Sequence, residues 1–154
     1  MNKLAFIGGT GVYDAGILSN IRSEIINTPF GQAVCQIGYF KGKEIVFLAR
    51  HGTGHTIPPH KINYRANIYA LKMLEVSSIV STTAVGSLNP EYKPGELVLI
   101  DQFLDMTKSR NGTFFDGEFR GVAHIDVTNP YCQTLRNVIC LLYTSPSPRD
   151  STSS

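Results

Sequence analysis

The stretch EIVFLARHGTGHTIPPHKINYRANIYALKMLEVSSIVSTT, residues 44–83, decides the fold. It opens on an apolar run, IVFLA, of strand character. HGTGHTIPPHK, residues 51–61, follows and reads as a loop by its Gly and Pro content. In INYRANIYALKML, Ile62, Ala66, Ile68, Ala70, Leu71 and Leu74 share a broad apolar face, the pattern of a helix packed on one side. VSSIVSTT, residues 76–83, is a second strand. Strand, helix and strand in this order form a βαβ unit. The class is therefore α/β, with a mixed central β-sheet that has a parallel portion and is flanked by helices.

Outward from this unit, LAFI at 4–7 predicts a short strand running into Gly8-Gly9-Thr10-Gly11. Residues 33–40 and 44–49 flank Lys41-Gly42-Lys43, a hairpin signal. ELVLID at 96–101 and the segment around GVAHIDV also read as strands, and residues 131–143 as a helix. From Thr144 the chain reads TSPSPRDSTSS, with no apolar side chain and two Pro, so nothing there can pack. It follows LRNVICLLY with no helix cap between them. The expectation is one globular region, residues 1–142, and a disordered, non-native tail, residues 143–154.

Composition excludes several functions. The chain has 154 residues, enough for one cored domain. Fourteen Lys and Arg against 12 Asp and Glu give a net charge of +2, too weak to argue for nucleic acid or an anionic membrane as partner. No apolar run reaches the ~18 residues of a membrane-spanning helix, and the apolar start breaks at Gly8, too early for a signal peptide. Three Cys at 35, 132 and 140 fit neither a disulfide framework nor a zinc site. The expected location is cytoplasmic, with reduced cysteines.

Ligands of open α/β sheets bind beyond the carboxyl ends of the strands. Three polar clusters fall at such ends: Gly8–Gly11, Arg50-His51-Gly52, and Thr82-Thr83-Ala84-Val85-Gly86. GGTG offers backbone N–H groups to an anion, or is simply a tight turn. It is not a dinucleotide fingerprint, because Asp14 stands where the third glycine belongs. Arg50 suits bidentate grip of a phosphate-sized oxyanion, or a surface ion pair. His51, His55 and His60 lie close in sequence, but no Cys or acidic ligand accompanies them in a zinc spacing. Thr82-Thr83 leading into Ala84 allows close backbone approach to a flat ligand, or ends an ordinary strand. His124 in a strand is equally a core or interface histidine.

IGGTGVYD, TPFG at 28–31, FLARHGTGHTIPPHKINYRANIYALK, TTAVGSLNPEYKPGELVLIDQFLDMTK, and FFDG followed by VAHIDVTNPYC resemble the methylthioadenosine phosphorylase branch of the purine nucleoside phosphorylases. The likeness runs from Lys3 to about Cys140. It implies a nucleoside phosphorylase-like fold, incomplete at the carboxyl terminus, and a tail with no counterpart. It implies phosphorolysis of a purine nucleoside, foremost 5′-methylthioadenosine plus phosphate to adenine and 5-methylthioribose 1-phosphate. A 6-oxopurine nucleoside (methylthioinosine, inosine or guanosine) is the alternative substrate. A phosphate- or nucleotide-binding module without catalysis is the alternative of another class.

By the same resemblance, Thr10, Arg50, His51, Thr83 and the backbone N–H of Ala84 bind phosphate. Ala84, Val85 and Gly86 begin the purine wall, with Val85 where the branch often has Cys. His55 sits near the sugar, and His124 is lent across a trimer interface to the neighbour's 5′ group. Inorganic phosphate is a co-substrate, no metal or organic cofactor is needed, and the parent enzyme is a homotrimer. No catalytic residue is identified, because the family's purine-contacting acid falls in its second half. This chain is therefore expected to be inactive alone and to aggregate through an apolar sheet edge.

Overall fold

The computed structural model describes residues 3–9, 17–118 and 121–144. β1 (Lys3–Gly8), β2 (Ser19–Thr28), β3 (Gly31–Phe40), β4 (Lys43–Ala49) and β5 (Val76–Ser81) form one sheet in the order β2-β3-β4-β1-β5. β4, β1 and β5 are parallel, while β2, β3 and β4 form an antiparallel meander. The sheet is thus mixed, as residues 44–83 imply, but β1 lies between the two strands of the βαβ unit.

Alternation sets the faces. In β3, Ala33, Cys35 and Ile37 point inward while Val34 between them is exposed. The β3–β4 connection is two residues, Lys41 and Gly42, with φ of 48° and 76°. Positive φ at both positions is what a tight hairpin matched to strand twist requires.

α1 (Tyr64–Met73) crosses from β4 to β5. Asn63 caps it, its side-chain oxygen accepting from the Ala66 N–H at 3.0 Å, and its amide donates to the Phe30 carbonyl at 2.6 Å. One residue thus starts the helix and ties it to the β2–β3 turn. Ala66, Ala70 and Leu71 are fully buried. Ala70 and Leu71 pack with Ala5, Ile7, Val46, Leu48, Cys35 and Ile37 in the core. The helix ends where Glu75 takes a φ of 58°, and β5 begins at Val76.

α2 (Gln133–Thr144) matches the expected helix and continues past the boundary expected at Leu142. The tail beyond Thr144 lies outside the described residues. β2 is a ten-residue strand that its polar sequence, SNIRSEIINT, concealed.

Two expected strands are corrected. ELVLID at 96–101 and the described residues of GVAHIDV at 121–127 are not strands. An extended segment becomes a strand only when a neighbour satisfies its N–H and C=O groups. Neither segment pairs with another among the described residues, and Leu97 and Val122 stand 76% and 78% exposed.

Candidate functional site

Register brings the polar clusters together. Gly8 lies opposite Ala49, and Ile7 opposite Ser81, so β4, β1 and β5 finish at one level. The pairing runs one step further: Arg50 N–H donates to the Gly8 carbonyl at 3.2 Å, and Thr82 N–H to the Ile7 carbonyl at 3.0 Å. Gly9, Arg50 and Thr82-Thr83 are therefore neighbours at the carboxyl edge. They were separated in sequence only.

Arg50 closes this edge. Its Nη1 donates to the Thr82 carbonyl at 2.6 Å and its Nη2 to Thr83 Oγ1 at 2.8 Å. A fork held on a backbone carbonyl and a hydroxyl gives up part of its rotamer freedom before any ligand arrives. The remaining guanidinium N–H groups have no partner among the described residues and stay available for an oxyanion. Thr82 Oγ1 is buried without a hydrogen bond there.

His51 is 7% exposed and held twice by one residue. Its Nδ1 lies 2.9 Å from the Ile57 carbonyl, and its own carbonyl accepts from Ile57 N–H at 2.8 Å. A carbonyl only accepts, so Nδ1 carries a proton and Nε2 is the nitrogen left for a ligand. The His55 ring stacks on His51 with centroids 4.4 Å apart. Gly52 and Gly54, with φ of 73° and 76°, and His55, at 60°, bend the loop back to permit this stack.

These groups open onto a cleft of about 1040 Å³. Arg50, His51, His55, Thr83 and Ala84 line it. Val85 is 79% exposed outside it, and Gly86 and His124 also lie off its wall. Thr10 lies outside the described residues. His60 sits in a single 3-10 turn, Pro59–Lys61, and does not line the cleft. Among the described residues no three His, Cys, Asp or Glu side chains gather as metal ligands.

The far wall was not anticipated. Tyr64 and Asn67 come from α1, and Cys132 and Arg136 from the region of α2. Arg136 Nε is buried without a hydrogen-bond partner, while its Nη2 stands 3.8 Å from Asp101. Helical spacing of Cys132, Leu135, Arg136 and Ile139 held the signal that one face of this segment points to the cleft. No carboxylate lines the cleft among the described residues.

An arginine fork, a fixed histidine and a threonine stand together at converging parallel strand ends, the place where open α/β sheets hold their ligands. The chain belongs to the phosphorylase superfamily, whose model matches residues 3–145. It is 56% identical over 137 residues to a protein of Moorella thermoacetica described as a probable 6-oxopurine nucleoside phosphorylase, covering 89% of this chain and 53% of that one. It is 54% identical over 138 residues to the S-methyl-5′-thioadenosine phosphorylase of Hyperthermus butylicus, covering 88% and 50%. Among solved structures, the apo methylthioadenosine phosphorylase of Schistosoma mansoni superposes with a TM-score of 0.84 at 34% identity, covering 91% of this chain and 51% of that one. The chain spans about half the length of the curated relatives it matches. No helix among the described residues is long and apolar enough to cross a membrane.

Proposed function

We propose that this chain forms the phosphate-binding half of a purine nucleoside phosphorylase. The observation that carries the reading is the Arg50 fork, fixed on Thr82 and Thr83 beside His51 at the cleft. Arg50, His51, the Thr83 hydroxyl, the Ala84 N–H and Thr10 hold inorganic phosphate as co-substrate. The glycosidic bond of the nucleoside stretches, and the sugar takes on positive charge at C1′. Phosphate held in line stabilises that charge and attacks C1′ from the face opposite the base. The pentose 1-phosphate forms as the purine leaves. No metal or organic cofactor enters this scheme, because the charge is met by phosphate itself.

The leaving purine needs a proton or a hydrogen bond, and no acid of the described cleft supplies one. The chain alone therefore binds phosphate but releases little base. Ala84, Val85 and Gly86 extend toward the purine and His55 toward the sugar. The exposed His124 suits an interface residue, lent to a neighbour's 5′ group in a homotrimer.

5′-Methylthioadenosine is the first substrate, giving adenine and 5-methylthioribose 1-phosphate. The name of the Moorella relative favours a second reading, a 6-oxopurine nucleoside. Joining residues 1–142 to the second half of that relative tests the reaction class. Base release that requires phosphate and is lost in Arg50→Ala is the expected result. Release without phosphate, or unchanged by Arg50→Ala, contradicts it. With the full-length gene, phosphate-dependent rates on methylthioadenosine and methylthioinosine separate the two substrates.

A further inference from the structure

Gly9 follows directly on β1, the central strand of the three parallel ones, and its backbone has no positive φ to explain the choice of glycine. Space explains it. A Cβ built on Gly9 would meet the guanidinium of Arg50, lying 2.9 Å from Cζ and 3.3 Å from Nη1, with Nη2 nearer still. Separations under 3.0 Å are not tolerated by real Cβ atoms, so either the backbone or the arginine must shift. The strand pairing at Gly8 resists the first option. The arginine has long rotatable bonds and gives way.

We propose that Gly9 is a positioning residue for the oxyanion site, acting through Arg50. The missing side chain leaves a slot just past β1 that the guanidinium occupies. Only from that slot does the fork reach the Thr82 carbonyl and Thr83 Oγ1 together, spanning from β4 across β1 to β5. A methyl group at position 9 expels the guanidinium, breaks both hydrogen bonds and takes away the prearranged donors of the cleft. This role differs from that of a loop offering its own N–H groups to an anion, because it vanishes when the arginine is absent. The consequence for phosphate rests on the reading of the preceding section. The placement of Arg50 does not.

The test measures both. The rate at which phenylglyoxal modifies Arg50, followed by peptide mass spectrometry, reports whether the guanidinium is pinned. Titration with inorganic phosphate, followed by phosphorus NMR, reports binding. In Gly9→Ala, Arg50 should react several-fold faster and phosphate should bind about tenfold more weakly or worse. Gly112→Ala, where nothing lies within 4 Å of the added carbon, should match the wild type in both. In an Arg50→Lys background, Gly9→Ala should cost less than twofold in phosphate affinity. If Gly9→Ala does not fold, adding Arg50→Lys should restore the native circular dichroism, since the guanidinium that meets the added carbon is gone.

An unchanged labelling rate in folded Gly9→Ala overturns the proposal. So does an equal loss of affinity in the Arg50→Lys background, or failure of Arg50→Lys to rescue a misfolded variant. Faster labelling with no phosphate binding even in the wild type leaves Gly9 as the support of Arg50 and overturns the phosphate reading instead.

Discussion

Arg50 Nη2 donates to Thr83 Oγ1 at 2.8 Å, joining two strand ends that are not neighbours in the sheet. The hydroxyl oxygen accepts from the guanidinium, so its own O–H remains free to donate. Arginine and threonine thus present adjacent donors from one rigid edge. This pairing joins two of the three sequence clusters, and Gly9 of the third lies against the same guanidinium.

Thr83→Val keeps the shape of the side chain and removes both roles of the hydroxyl. Phosphate affinity should fall by ~1–1.5 kcal/mol, about tenfold, with the thermal midpoint little changed. Thr83→Ser should retain most of the affinity. Arg50→Lys keeps the charge but loses the planar fork that reaches both acceptors while facing a ligand, so its loss should equal or exceed that of Thr83→Val. Calorimetric titration with phosphate measures all three.

The three cysteines should differ in reactivity. Burial pushes the Cys35 thiol up to about 11, whereas Cys132 and Cys140 are exposed. A thiol reacts as its thiolate, so Ellman's reagent should titrate two groups in the native chain and three in denaturant. Because the folded value lies above the ordinary 9.0, Cys35 favours the fold below that pH. The contribution is lost as pH rises from 9.0 toward 11.

Acid should act on the edge of the meander. The hydrogen bond from Lys3, 2.7 Å away, holds the Glu44 carboxyl below its ordinary 4.5, with Arg22 adding to it against the cost of burial. A depressed folded value stabilises the native state above the ordinary carboxylate range. That contribution disappears as pH falls through the folded value. Urea midpoints should therefore drop less between neutral pH and about pH 3.5 in Glu44→Gln than in the wild type. The difference should be small, because the pair is solvent-exposed in part.

Exposed apolar side chains should drive self-association. Leu97 is 76% exposed, Leu104 85% and Met106 79%, all in segments without a pairing partner among the described residues. Sedimentation velocity should show mass increasing with concentration. Leu97→Lys with Leu104→Lys should reduce it without loss of the native circular dichroism. A monomer at all concentrations would argue against an adhesive apolar surface.

Core packing offers a separate check. Leu71 is fully buried where α1 meets the sheet, so Leu71→Ala should cost ~2–5 kcal/mol in denaturant unfolding.

Local patterns made much of the fold legible. Periodicity gave α1, alternation and apolar runs gave β1, β3, β4 and β5, and Lys41-Gly42 gave the hairpin. β2 was hidden because it is a polar edge strand whose order comes from β3, not from its own side chains. ELVLID showed the opposite failure: strand composition without a partner is only an extended segment. That Arg50, His51 and Thr83 would meet at one cleft was readable because all three stand at strand ends. Gly9 was visible only as part of GGTG, a tight turn or a source of backbone N–H groups, since its contact with Arg50 depends on where a side chain 41 positions later lies in space. Tyr64 and Arg136 were missed because the facing of a helix across a cleft is a property of packing.

The most direct test of the central claim is a titration of the chain with inorganic phosphate, paired with Arg50→Ala. Saturable one-to-one binding in the wild type, weakened by at least about a hundredfold in Arg50→Ala while the fold is kept, is predicted from a clamped, charge-assisted fork. No saturable binding to the folded wild type, or equal binding by Arg50→Ala, would contradict the account.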